Sequence, residues 1–297
     1  MDSAAAMQYV GECKGKIDGV IAEELAKRVT EVEKISPYLV PILKAMQELS
    51  VGGKRLRAVL VMLGYQLAGG VENEEIVKAA VVMELFHLGL LCQDDFMDRD
   101  VMRRGVKTIN ARFADPHIGN SMAMLAGDYT FGWGIEILSQ LNFAPERVNA
   151  AIQVWGKYFT RVGYGQALDG LDIADDKTIL QILEIKSGEY SCVLPLLLGA
   201  KLAGADSVLI ARLERYAMEL GAVFQLRDDW LGMYGDESKT GKPAGKQKEN
   251  GKKTFATIYG KEKSEAAIKE HWEKGKAFTD GDEILEGLLE WVATRES

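Results

Sequence analysis

The stretch NEEIVKAAVVMELFHLGLLCQDDFMD, residues 73–98, decides the fold class. Its apolar residues recur at three- and four-residue spacings with no apolar–polar alternation, which is the pattern of a helix and not of a strand. The same reading holds for IDGVIAEELAKRVTEVEKI (17–35), MAMLAGDYTFGWGIEILSQL (122–141) and ADSVLIARLERYAMELGAVFQLRDDWLGMYG (205–235). Short Gly-rich or polar breaks separate these runs: SVGGK (50–54), AGGVEN (68–73), FADPHIGN (113–120), GLDIADDKT (170–178) and GKPAGKQKENGKK (241–253). No long Pro/Ser-rich linker and no repeat interrupts them. The expectation is an all-α bundle of about ten or more helices, a single domain over residues 1–297, with no convincing strand.

Composition narrows the function. With 297 residues, 47% of them hydrophobic and 27% charged, the chain can bury a large core. A net charge of −8 argues against nucleic acid or an anionic membrane surface as the main partner. Any anionic ligand must therefore be met by local basic clusters. Cys13, Cys92 and Cys192 form an odd, scattered set that suits a reducing compartment. The opening MDSAAAMQYVGECKGKIDG has no basic stretch followed by an apolar core, and no apolar run reaches the ~18 residues of a membrane span. A cytoplasmic protein without an integral membrane segment is expected.

The end of the first stretch carries the chemistry. Successive helical residues turn by ~100°, so Asp94 and Asp98 lie nearly in line on one face while Asp95 lies to one side. Two carboxylates one turn apart suit Mg²⁺, which keeps several waters and takes one or two protein carboxylates together with phosphate. Arg103 and Arg104 follow beside Gly105, where a chain break would fold them back toward the acidic turn to grip phosphate oxygens. A second acidic pair, Asp228 and Asp229, again closes an apolar helix, and two such pairs can face each other across a bundle. Two independent solvated helix ends are the bland alternative. In GGKRLR (52–57), Lys54, Arg55 and Arg57 follow two glycines and precede a helix, a place that favours anions. His87 lies two turns before Asp94 on roughly its face, although a lone His on an apolar helix is more often a core residue.

Taken together, the sequence resembles the trans-isoprenyl diphosphate synthases, the farnesyl and geranylgeranyl diphosphate synthase family. GGKRLR (52–57), ELFHLGLLCQDDFMD (84–98), RRG (103–105), LAGDY (125–129), GQALD (165–169), KSG (186–188), FQLRDD (224–229), TGKPAG (240–245) and NGKKT (250–254) carry the likeness over nearly the whole chain. The resemblance implies a bundle with a deep central cavity, usually a homodimer, in which three Mg²⁺ hold an allylic diphosphate between the acidic motifs. It implies that Asp94 and Asp98 ligate two ions with Asp95 in support, and that Asp228, with Asp229 nearby, holds the third. By the same likeness Arg103, Lys186, Lys242 and Lys252 bind the allylic diphosphate; the GKPAGKQKENGKK segment is expected to close on it through Lys242 and Lys252, with a permanently solvated linker as the alternative. Lys54, Arg57, His87 and Arg104 match the isopentenyl diphosphate site. Ser187, where the family usually has Thr, and Gln225 fall near the reacting carbons, and Gln166 and Asp169 on a helix lining the cavity.

The implied reaction ionises an allylic C–O bond, adds the isopentenyl double bond to the cation and removes a proton. It needs charge stabilisation and no protein nucleophile. A chain with only three histidines and no Ser/His/Asp or Cys/His arrangement agrees. Three departures from the family pattern stand out: Gly232 replaces a second-motif Asp, Gln93 a His, and Lys107 a Pro. A class I terpene cyclase or a non-catalytic subunit of a heteromeric synthase is the alternative. The first lacks a second diphosphate to hold, and the second would tend to lose the charged residues kept here. Product length is expected at C20, with C25 as competitor. Gly89, five before the first motif, has no side chain to block a tunnel. Phe86 is the next obstruction on the helix, with Leu90 a further chain-length candidate, unless Phe86 is ordinary core packing and the floor is supplied by the helix around Met62 to Gln66.

Overall fold

The computed structural model describes residues 3–171, 173, 175–236, 245 and 253–296. Helices dominate it as expected. α1 (Ala4–Ile35), α2 (Val40–Ser50), α3 (Leu56–Leu67) and α4 (Glu74–Met97) come first. A small ribbon and then α5 (Pro116–Ser139) and α6 (Pro145–Gly170) follow. α7 (Asp176–Ile182) continues through a π-helical stretch, Leu183–Val193, into α8 (Leu194–Ala203). The remainder is α9 (Ser207–Tyr234), α10 (Phe255–Tyr259), α11 (Lys261–Lys276) and α12 (Glu283–Thr294).

Local chemistry sets the helix starts. The Asn73 side chain accepts from the Ile76 N–H at 3.1 Å, Asp206 from Leu209 at 2.8 Å, and Asp282 from both Ile284 and Leu285. Each satisfies backbone donors that the first turn leaves unpaired. Glu74 and Glu75 add negative charge to the first turn of α4, where the helix dipole favours it.

α4 packs along α5, and α3 against α8, with one hydrophobic core running from Ala6 in α1 to Val292 in α12. The α3–α8 approach is close: a Cβ at Gly199 would lie 1.8 Å from the Val61 carbonyl oxygen. Only a glycine allows backbone to meet backbone there.

One short extended element stands beside the helices. Met102–Arg103 and Val106–Lys107 form a two-residue antiparallel ribbon, with Arg103 opposite Val106. Arg104 (φ 52°) and Gly105 (φ 80°) make its turn, and two positive φ angles in succession match the twist of a tight hairpin. A ribbon of two residues per strand is too short to show alternation. Among the described residues no helix is long and apolar enough to cross a membrane.

Candidate active site

The last turn of α4 separates the three aspartates by burial. Asp94, 30% exposed, accepts from Gln166 Nε2 of α6 at 2.9 Å. Asp95 points inward and is fully buried, and Arg103 Nε donates to its Oδ1. Burial pushes the Asp95 carboxyl up to about 6 against the pull of Arg103, and its Oδ2 is buried with no hydrogen-bond partner. Asp98 caps the helix and is exposed. The tight turn at Arg104 and Gly105 brings Arg103 back as the sequence suggested, its Nη2 3.8 Å from Asp94 and 3.7 Å from Asp100.

On α9 the second pair divides in the same way. Asp229 is buried, accepting from Gln225 Nε2 at 2.8 Å and from the Phe255 N–H at 3.2 Å. Gln225 Oε1 in turn accepts from the Ser187 hydroxyl at 2.8 Å. Asp228 is 44% exposed and forms an ion pair with Arg295. The two pairs are tied together through α6, where Gln166 holds Asp94 and Asp169 accepts from Lys186 Nζ at 2.6 Å. Lys186 directly precedes Ser187 on the π stretch, so the side-chain chain runs from α4 to α9.

The basic residues of GGKRLR part company. Arg55 is buried and structural: it donates to Asp18 at 2.6 Å, Glu84 at 3.3 Å and the Ser50 carbonyl at 2.6 Å. Lys54 is exposed, with its ammonium 6.0 Å from the centre of the Trp291 ring. Arg57 Nη2 donates to the Ser191 hydroxyl at 2.8 Å, its guanidinium lies 4.8 Å from the Tyr190 ring centre, and its buried Nε has no partner. His87 Nδ1 lies 3.1 Å from the Tyr190 hydroxyl. Burial first, then the charges of Arg57, Arg104, Arg103 and Arg55, holds the imidazole well below 6.5, so it is neutral at neutral pH. Arg104 Nη1 donates to the Leu49 carbonyl at 2.8 Å. Ser50, Arg55, Glu84, His87 and Arg104 line a recess of about 10 Å³. The expected ligands Lys242 and Lys252, and most of the segment carrying them, lie outside the described residues.

Sequence reasoning missed Tyr190, Ser191 and Arg295. The first two follow KSG on one π stretch, where i→i+5 bonding shifts the faces that 3.6-residue periodicity assigns. Arg295 gave no signal at all. A wider groove of about 660 Å³, lined by Tyr158, Glu184, Glu214, Arg215, Glu219 and Phe278, contains none of the expected site residues.

The space expected beside Gly89 is filled. A Cβ at Gly89 would lie 2.0 Å from Thr130 Oγ1 and 3.0 Å from the Gly127 carbonyl oxygen, so α5 fills the space that the missing side chain was expected to leave open. Phe86 is fully buried in an aromatic cluster, its ring centre 4.5 Å from Trp155 and about 5.5 Å from Phe131, Phe159 and Tyr190. Leu90 is partly buried against the same core.

Residues 40–288 match the polyprenyl synthetase family, and the chain belongs to it. It is a prenyltransferase of a magnesium-dependent class. The chain is 33% identical over 267 residues to the geranylgeranyl diphosphate synthase of Methanosarcina mazei, covering 86% of this chain and 77% of that protein. It is 33% identical to the geranylfarnesyl diphosphate synthase of Aeropyrum pernix over 73% of this chain and 69% of that one. A crystal structure of geranylgeranyl pyrophosphate synthase from Corynebacterium glutamicum, complexed with isoprenyl diphosphate and magnesium, superposes with a TM-score of 0.82 at 26% identity. That match covers 94% of this chain and 99% of that one.

Proposed function

We propose that this chain condenses isopentenyl diphosphate with an allylic diphosphate (dimethylallyl, geranyl or farnesyl) to give a longer all-trans prenyl diphosphate, with geranylgeranyl diphosphate as main product. The observation that supports the reading is that the charges of Arg57, Arg104 and Arg103 all act on His87 while Arg103 also reaches Asp94, which is consistent with two neighbouring anion sites. One is framed by Asp94, Asp98, Asp228, Arg103 and Lys186, the other by Lys54, Arg57, His87 and Arg104. A terpene cyclase has no use for the second. A non-catalytic subunit has no use for either, yet the acidic pairs and the basic residues Lys54, Arg57, Arg103, Arg104 and Lys186 are all kept in this chain.

The residues present fit magnesium. Asp95 Oδ2 is a buried acceptor without a partner, and the donor set is all carboxylate. Among the described residues no three metal-binding side chains form a closed cage. Magnesium takes one or two carboxylates from protein and the rest of its ligands from water and phosphate. Asp94, Asp95 and Asp98 would hold two ions, and Asp228 with Asp229 the third. Bound there, magnesium would neutralise the charge that develops on the leaving pyrophosphate.

Arg103 and Lys186 receive the allylic diphosphate by letting go of their carboxylate partners Asp95 and Asp169. Arg57 offers its unpartnered Nε to the isopentenyl diphosphate while Ser191 and Tyr190 fix the guanidinium plane. Neutral His87 donates a hydrogen bond to the same anion without adding to the cost of gathering four arginines. The Ser187 hydroxyl and the Gln225 amide, joined to each other and anchored on Asp229, fix polar groups beside the allylic cation. The proton lost at the end passes to the pyrophosphate oxygens, since no described side chain near the reacting carbons is a free base.

The C20 product is supported by the likeness to geranylgeranyl diphosphate synthases, and the Aeropyrum protein keeps C25 in view. We further propose a single-domain cytoplasmic homodimer. The continuous core supports one domain, and Ile118, Met124 and Ile135 exposed along α5 support a subunit face. Product analysis after incubation with Mg²⁺, isopentenyl diphosphate and each allylic primer in turn tests the function. Elongation to C20 is expected, whereas cyclised hydrocarbon, or no product from any primer, would overturn the proposal.

A further inference from the structure

Arg295, one residue past α12, is 5% exposed at its side chain although it follows an amphipathic helix end. Its guanidinium stacks 4.3 Å from the centre of the Phe224 ring. Nη2 donates to Asp228 and to the Phe224 carbonyl at 3.1 Å, and Nε is buried with no partner. The Arg295 carbonyl accepts from Arg227 Nε at 2.9 Å, which pins this segment to α9 directly before the acidic pair. A guanidinium so enclosed is a built contact and differs from a solvated surface ion pair, which contributes little.

The pair uses a scarce resource. Asp229 is committed to Gln225 and the Phe255 N–H, and position 232 is Gly where a further carboxylate would stand one turn on. Asp228 is therefore the one carboxylate of this motif that faces outward, and Arg295 takes one of its oxygens. Lys54 lies close enough to feel the charges of both Arg295 and Asp228, so a second cation borders this carboxylate.

We propose that Arg295 is a resident counter-charge for Asp228 which a divalent cation must displace, so that this motif takes up metal effectively only when a diphosphate arrives with it. The inference rests on the reading of Asp228 as a metal ligand. A metal alone must approach against a guanidinium and an ammonium and break a charge-assisted hydrogen bond. A diphosphate brings the anionic oxygens that neutralise the metal and give Arg295 a new partner.

The test counts bound Mn²⁺ by electron paramagnetic resonance in titrations of the whole chain, with and without inorganic pyrophosphate. Wild type is compared with Arg295→Gln, Arg295→Lys, Asp228→Asn and the Arg295→Gln/Asp228→Asn double variant, with folding checked by circular dichroism. Without pyrophosphate, Arg295→Gln should gain one Mn²⁺ site about tenfold tighter than wild type, because a hydrogen-bonded charge no longer opposes it. Arg295→Lys should resemble wild type, the double variant should lose the gain, and pyrophosphate should bring wild type level with Arg295→Gln. If Arg295→Gln does not fold, Arg295→Met keeps the stem over Phe224 and repeats the test. Unchanged Mn²⁺ binding in a folded neutral variant, with Asp228→Asn still weakening uptake beside pyrophosphate, would overturn the counter-charge role and leave the ligand assignment standing. If Asp228→Asn alters Mn²⁺ uptake under no condition, the ligand reading fails and the role of Arg295 falls with it.

Discussion

Replacing Gly89 by alanine sets two opposed effects against each other. In a helix interior the change normally stabilises, because alanine has the higher helix propensity by about 1 kcal/mol. At this position the new methyl carbon would stand 2.0 Å from Thr130 Oγ1, 3.1 Å from Thr130 Cβ and 3.0 Å from the Gly127 carbonyl oxygen. The first distance is well over 1 Å short of the ~3.5 Å of an ordinary contact. Thr130 cannot turn away freely, since its hydroxyl donates to the Gly127 carbonyl at 2.8 Å and the residue is fully buried. Relief requires α4 and α5 to part along their length, and overpacking of this kind costs about 1–3 kcal/mol. The clash should win: Gly89→Ala should lower the urea midpoint followed by circular dichroism, by about 1 kcal/mol or more after the propensity gain. Thr130→Ala in the same chain should recover part of the loss. Gly89→Phe should fail to fold rather than shorten the product. A Gly89→Ala protein as stable as wild type, or a folded Gly89→Phe enzyme that stops at C15, would show that Gly89 faces open space and that the packing argument is wrong.

Phe86→Ala should cost about 3–5 kcal/mol, the range for emptying an enclosed aromatic site, and should lengthen the products if the cluster forms the end wall of the chain tunnel. A small stability loss would contradict the enclosure, and an unchanged product range would remove Phe86 from that wall. His87 makes the fold sensitive to acid. Its folded pKa lies below 6.5, so between that value and 6.5 the unfolded chain binds the extra proton. The contribution of neutral His87 is whole above pH 6.5 and is lost as pH falls toward the folded value. His87→Gln should therefore flatten the fall of the urea midpoint below pH 6.5 and leave the limb above it alone. An equally steep acid limb in the variant would assign that sensitivity to other groups.

The helices were legible because each is long and strongly periodic, and the acidic pairs because they interrupt apolar helices with charge. Arg103 was legible through its neighbour Gly105, since a hairpin turn is written locally. What stayed hidden depends on tertiary direction. Arg55 and Arg57 are two positions apart in one basic run, yet one is buried on Asp18 and Glu84 and the other faces Tyr190 and Ser191. Gly89 gives the same letter whether its bare side meets a tunnel or the hydroxyl of Thr130. Arg295 lies 67 residues from Asp228, and nothing in its neighbours announces the pairing.

Turnover of Asp94→Ala and Asp228→Ala at saturating Mg²⁺, with isopentenyl and farnesyl diphosphates, tests most directly whether the two acidic motifs act on one ligand. Asp94→Ala should fold normally, because a partly exposed carboxylate contributes about 1 kcal/mol or less to stability, and Asp228→Ala should fold with a lowered urea midpoint, because it leaves the enclosed Arg295 guanidinium without its carboxylate. Each should also lose about a thousandfold or more in kcat, the effect of removing several kcal/mol of charge stabilisation from the leaving pyrophosphate. Near-normal turnover in both variants would contradict the account.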